Sequence, residues 1–132
     1  MPDLRTYNLF ISHAWDYNDE YYRLRDMLNN APRFDWKDYS VPVHDPEDGS
    51  LRQAFIDQIR PVHCFVVTSG MYVPYSKWML SEIRIAKGMK KPILAVVPQG
   101  NERIPQAIQN VADDTVGWST QSIVDAIRQL AL

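Results

Sequence analysis

The sequence predicts an α/β fold in three layers, with a parallel five-stranded sheet covered by helices on both faces. Three observations predict it. Short runs rich in β-branched and aromatic residues alternate with longer segments whose apolar residues recur at helical spacing. One of the short runs is almost continuously apolar, as a strand buried on both faces requires, and another contains a proline, which confines it to an edge.

Tyr7-Asn8-Leu9-Phe10-Ile11-Ser12 is a short apolar run with polar flanks and reads as the first strand. From Asp16 to Asn29, the residues Tyr17, Tyr21, Leu24 and Leu28 share one side of the first helix. Tyr39-Ser40-Val41-Pro42-Val43 has strand composition, but Pro42 cannot donate to a ladder, so the second strand is expected at the rim, over Val41 to Val43. Ser50-Leu51-Arg52-Gln53 has capping-box form, and Leu51, Phe55 and Ile59 then line one helix face until Pro61 stops it. His63-Cys64-Phe65-Val66-Val67-Thr68 is expected at the centre of the sheet. A helix capped by Ser76 runs to about Lys87, with Gly88 as its expected stop and Pro92 just beyond. Ile93-Leu94-Ala95-Val96-Val97 reads as the fourth strand, and Pro105 opens a short helix to about Val111. Thr115-Val116-Gly117-Trp118 is the expected last strand, and Ser119 or Thr120 opens a final helix carrying Val124, Ile127 and Ala131.

Strands alternating with helices require right-handed crossovers, and the order expected for five such strands is 2-1-3-4-5, the flavodoxin-like arrangement. Ligands of such sheets sit beyond the carboxyl ends of the strands where the winding reverses, here between strands one and three. Ser12-His13-Ala14-Trp15 and the segment from Ser69 to Ser76 border that crevice.

The 132 residues, 45% hydrophobic, are enough for one contiguous core, and no repeat or linker divides them, so residues 1–132 are expected to form a single domain. The net charge is −2, and the 14 lysines and arginines are scattered, so no footprint for nucleic acid is present. No apolar stretch is long enough to span a membrane, and the N-terminal residues lack the apolar core of a signal peptide. With the lone cysteine, Cys64, inside an apolar run, these features lead to the expectation of a cytoplasmic protein. Two histidines, His13 and His44, and Cys64 lack the spacing of a metal site, and the acidic run from Asp45 to Asp48 has Ile56 where a calcium loop needs its twelfth-position glutamate. No metal is expected.

The third helix carries the sharpest signal. At ~100° per residue, Trp78, Met79, Ile83, Ile85 and Ala86 form one apolar arc with Glu82 close to its centre. A carboxylate there is either paired, with Arg84, Arg103 or a backbone donor, or kept for chemistry beside the crevice.

The first strand with His13 resembles the first box of TIR domains, and Trp78-Met79-Leu80-Ser81-Glu82 resembles their Trp-x-x-x-Glu helix. The resemblance runs over nearly the whole chain and is strongest to the small bacterial TIR-like proteins of the Thoeris (ThsB-like) anti-phage type. It implies an NAD-processing enzyme, of NAD glycohydrolase or ADP-ribosyl cyclase type. Glu82 would be catalytic, and the product would be a cyclic or conjugated ADP-ribose signal read by a separate effector protein. It also implies self-association to complete the site. The loop His44-Asp45-Pro46-Glu47-Asp48-Gly49 lacks the Arg-Asp…Pro-Gly pattern of receptor-type TIR domains, and Gly117-Trp118 stands where these have Phe-Trp.

Such chemistry needs little machinery, because nicotinamide leaves a cationic pyridinium as a neutral base and one carboxylate can stabilise the oxocarbenium-like ribose. The residues expected to bind substrate are Ser12, His13, Ala14, His44, Asp45, Tyr75 and Trp78; for the two histidines, Tyr75 and Trp78, ordinary loop or core positions remain the alternative. No Gly-x-Gly-x-x-Gly or P-loop motif occurs, so NAD is expected as substrate and no cofactor is expected. A response-regulator receiver would need acidic residues after strand one, where Ser12-His13-Ala14 stand, and an aspartate ending strand three, where Thr68-Ser69-Gly70 stand. The competing reading is a non-catalytic TIR scaffold that acts by self-association.

Overall fold

A computed structural model describes residues 6–12, 19–40, 49–68, 81–97 and 106–131. In chain order the elements are β1 (Thr6–Ser12), α1 (Asp19–Asn30), β2 (Asp35–Asp38), α2 (Gly49–Ile59) and β3 (Cys64–Thr68). A helix described over residues 81–88, α3, follows, then β4 (Ile93–Val96), α4 (Gln106–Val111), β5 (Asp114–Val116) and α5 (Thr120–Leu130). The five strands pair in parallel in the order β2-β1-β3-β4-β5, as the alternation of elements predicts.

Strand alternation divides the core into two layers. Leu9, Ile11, Cys64, Val66, Leu94 and Val96 face α1 and α5, where Leu24, Leu28, Ile123 and Ile127 close over them. Phe10, Phe65, Val67, Ile93 and Ala95 face the other way, onto Phe55 and Ile59 of α2, Ile83 and Ala86 of α3, and Ile108 of α4. Every residue of β3 and β4 is buried, and all but Thr68 are apolar, whereas the rim strand β2 is exposed at three of its four residues. An aromatic cluster anchors the second layer, with the Phe10 and Phe65 rings stacked at 5.1 Å and Phe55 set edge-on to Phe10 at 5.2 Å. Burying each such ring stabilises the fold by ~1.5–3 kcal/mol.

Several boundaries differ from the sequence expectation. The rim strand is Asp35–Asp38, in register with Thr6 to Leu9, while Tyr39 and Ser40 follow it as non-strand and Val41 to Val43 lie outside the described residues. The reason is that an edge strand gains its place from main-chain pairing: Trp36 packs against the core and donates to Asn29 Oδ1 at 2.9 Å, and nothing else about DWKD is apolar. Helix α2 begins at Gly49, so Ser50 lies within its first turn rather than ahead of it. Strand β5 is Asp114–Val116, ending before Trp118, because the chain turns there: the N–H of Ser119 donates to the carbonyl of Gly117, and Ser119 caps α5 through Ser122 N.

Gly88 does not stop α3. It remains helical, and the left-handed residue is Lys90, with φ 62°. Lys90 N–H donates to Lys87 O and Lys91 N–H to Ala86 O, each at 3.0 Å, which together make a Schellman turn centred on a lysine. Among the described residues no helix is long and apolar enough to cross a membrane.

Candidate functional site

The sheet order reverses between β1 and β3, and the carboxyl ends of these neighbouring strands are Ser12 and Thr68. The register aligns Ser12 with Val67, so the two strands end almost level. Helix α3 packs its Ile83 and Ala86 into the layer formed by Phe10, Phe65 and Val67, and that packing rotates Glu82 inward as well. Only 8% of Glu82 remains exposed. By strand alternation Ser12 projects to the same face as Phe10, and its hydroxyl donates to Glu82 Oε1 across 3.4 Å.

That bond is long and weak, and among the described residues no cation pairs with Glu82. Arg84, one of the partners the sequence offered, is exposed, and Arg103 lies outside the described residues. Burial therefore dominates the electrostatics: it pushes the Glu82 carboxyl up from an ordinary 4.5 to about 8, while the Ser12 hydroxyl pulls the other way. Burial thus favours the neutral carboxyl, and a nearby positive charge or a rise in pH favours the anion.

A second polar network joins the end of β2 to β1 and α1. The Tyr21 hydroxyl donates to Asp38 Oδ2, Asp38 Oδ1 accepts from Ser40 N at 2.8 Å, and Ser40 Oγ accepts from Ile11 N at 2.7 Å. Gln58 of α2 adds a bond to the Tyr39 carbonyl at 2.9 Å. These bonds tie residues 38–40 to the carboxyl half of β1. Desolvation and the neighbouring Asp38 raise the Tyr21 phenol to about 12, so it stays a hydrogen-bond donor at any physiological pH.

Of the residues expected at the site, the structure brings Ser12 and Glu82 together. His13, Ala14, His44, Asp45, Tyr75 and Trp78 lie outside the described residues. Sequence reasoning missed Asp38 and Ser40, whose roles depend on where β2 ends, and it placed Tyr21 only as an apolar helix residue. Thr68 was read only as the absence of an aspartate; its signal is a hydroxyl closing an otherwise apolar strand. Cys64 is fully buried in the first core layer, and among the described residues no three of His, Cys, Asp and Glu gather as metal ligands would.

The family described as Thoeris protein ThsB, TIR-like domain, matches residues 10–103 of the chain. A search of curated proteins finds no match to it. Among solved structures, the chain is similar to a 3-dehydroquinate dehydratase-like protein from Bifidobacterium longum, with a TM-score of 0.55 at 11% identity over 96% of this chain and 94% of that one. A putative pilus assembly-related protein from Burkholderia pseudomallei gives 0.55 at 12% identity over 95% and 89%. The CMP N-glycosidase BcmB from Clostridium botulinum gives 0.54 at 14% identity over 92% and 98%. At these identities the three share a fold with this chain.

Proposed function

This chain belongs to the TIR-like domain family of the Thoeris protein ThsB, a family of bacterial anti-phage defence, and on that premise we propose that it is an NAD-processing enzyme whose catalytic carboxylate is Glu82. The observation that carries the reading is the burial of Glu82 at the reversal of the sheet, with the Ser12 hydroxyl as its partner. A buried carboxylate left without a cation costs stability, and such a cost is tolerated where the group is kept for a positive ligand. The fold is compatible with this chemistry, since the Clostridium botulinum protein of the same fold is named as an N-glycosidase acting on CMP.

In this mechanism NAD is the substrate, and no further cofactor takes part. The pyridinium charge of the bound nicotinamide favours the ionised form of Glu82, which therefore releases its proton to solvent as the substrate docks. The bond between the ring nitrogen and ribose C1′ then breaks, its electron pair stays with the nitrogen, and neutral nicotinamide leaves. The positive charge that moves to the ribose faces the buried Glu82 carboxylate, where Coulombic stabilisation is stronger than in water. Attack on C1′ by water, or by a hydroxyl or ring nitrogen of a nucleotide, completes the reaction, with the proton lost by the nucleophile returned to Glu82 or solvent. Ser12 holds the carboxylate, and His13, Ala14, His44, Asp45, Tyr75 and Trp78 are proposed to contact the rest of the substrate.

The 132 residues act in this reading as one domain that associates with copies of itself, and a separate effector protein senses the product. The test is incubation of the purified chain with NAD, followed by mass analysis of every adenine-containing product. Nicotinamide release that disappears in Glu82→Gln supports the enzyme; binding of NAD without turnover selects the non-catalytic scaffold.

A further inference from the structure

Three side chains among the described residues are both polar and buried, Ser12, Thr68 and Glu82, and all three lie where the sheet reverses. Ser12 and Glu82 bond to each other. Thr68 is different: it is fully buried, and its Oγ1 has no hydrogen-bond partner. A hydroxyl left unpaired in a core forfeits the hydrogen bonds it had with water, and valine has the same shape without that cost. The preceding strand residues are apolar, so the hydroxyl at this position is an exception within its own strand.

Position points to what would pair with it. Thr68 is the last residue of β3, one step beyond Val67, which is in register with Ser12. With strands ~4.8 Å apart and a rise of ~3.3 Å per residue, the Thr68 Cα lies roughly 6 Å from that of Ser12. Alternation turns Thr68 to the face of Cys64 and Val66, opposite the face on which Ser12 meets Glu82. A ligand lying across the carboxyl ends of β1 and β3 therefore meets Glu82 on one side of the sheet and Thr68 on the other.

We propose that Thr68 is a second anchor of the nucleotide site, its O–H donating to an oxygen of the ligand's phosphoribosyl portion on the sheet face opposite Glu82. This rests on the reading of the site as one for NAD. Thr68 is fully buried, so the bond replaces no contact with water. The oxygen belongs either to a phosphate or to a ribose hydroxyl, since both accept from a threonine.

Calorimetric titration of the wild type, Thr68→Val and Thr68→Ser with ADP-ribose and with ADP, alongside thermal melting of each protein, tests the proposal. Thr68→Val is expected to melt no lower than the wild type and to bind ADP-ribose about ten-fold more weakly, which corresponds to ~1.4 kcal/mol. Thr68→Ser keeps the donor and stays within about three-fold of the wild type on the same scale. An equal loss with ADP assigns the contact to the part the two ligands share, the diphosphate or the adenosine ribose, and a loss confined to ADP-ribose assigns it to the terminal ribose. A stable Thr68→Val that binds ADP-ribose as the wild type does overturns the proposal. Should Thr68→Val fail to fold, Thr68→Ala compared with Thr68→Ser makes the same decision. Failure of the wild type to bind either nucleotide overturns the nucleotide reading itself, and that outcome is visible without any variant.

Discussion

Replacing Glu82 by glutamine keeps the shape of the side chain and removes its ability to ionise. The consequence for stability follows from the carboxyl's shift from 4.5 to about 8. Between those pH values the folded protein holds a proton that the unfolded chain has already released. The stability associated with the neutral carboxyl is therefore complete below about pH 4.5 and is lost as the pH rises to about 8. The interval of roughly 3.5 pH units, at 1.36 kcal/mol each, makes the loss ~5 kcal/mol, of which ~3 kcal/mol has gone by pH 7. Glutamine escapes this loss but adds an amide N–H group that needs a partner, costing ~1–3 kcal/mol if only Ser12 is at hand. Glu82→Gln is thus expected to be ~0–2 kcal/mol more stable than the wild type at pH 7, with the gap widening toward pH 8.5 and reversing near pH 5. Its nicotinamide release is expected to fall by ~10²–10³-fold, while the wild-type kcat/KM rises with pH to a plateau above about 8. Urea denaturation at pH 5, 7 and 8.5, together with nicotinamide release from the same preparations, reads all of this. A variant destabilised by ~3–5 kcal/mol at every pH would show that Glu82 holds a buried cation. A stable variant with full activity would remove Glu82 from the chemistry.

Asp113→Ala is expected to cost ~1–3 kcal/mol in denaturant unfolding, because Asp113 Oδ2 accepts from the Ile93 N–H at 2.7 Å and its loss leaves that donor unpaired at the start of β4. Lys87→Ala, which removes the exposed ion pair to the same aspartate at 3.2 Å and a bond to the Val111 carbonyl at 2.9 Å, is expected to cost under ~1 kcal/mol; an equal cost would show that the Lys87 contacts rather than the Ile93 N–H bond carry the effect. Lys90→Gly relieves a left-handed lysine and should raise stability by ~0.5–1 kcal/mol, and a loss in its place would show that the lysine side chain contributes more than its backbone strain removes. If copies of the chain complete the site together, NAD turnover per molecule rises with protein concentration, whereas a constant specific activity from a monomer at every concentration would exclude the self-association proposal.

Where burial is complete, the sequence reports the structure directly. Cys64 to Thr68 had to be a central strand, because no exposed strand tolerates five such residues without a polar face, and the winding order followed from the alternation of elements. Glu82 was legible for the same reason: one carboxylate inside an apolar arc is a contradiction that only a partner or a function resolves. The rim strand was not legible. Asp35–Asp38 is mostly exposed, and its place comes from hydrogen bonds to β1 that leave no mark on its composition, while the more strand-like segment around Pro42 attracted the assignment. Gly88 likewise had the composition of a helix stop, yet the packing of α3 carries the helix past it, and Lys90 takes the strained conformation instead.

By itself, then, the sequence determined the periodicities: which faces are apolar, how many layers they build, and the one acidic residue that violates them. Those are local properties, written in spacings of two and of three to four residues. Tertiary structure decided the relations between residues far apart in the chain. It set Ser12 against Glu82 across seventy positions and ended β3 one residue past the partner of Ser12, with Thr68 turned to the opposite face of the sheet. It also joined Tyr21, Asp38, Ser40 and the Ile11 N–H into one network. Such pairings depend on the register between strands and the rotation of a packed helix, quantities that arise only when the whole core closes and that no single segment encodes.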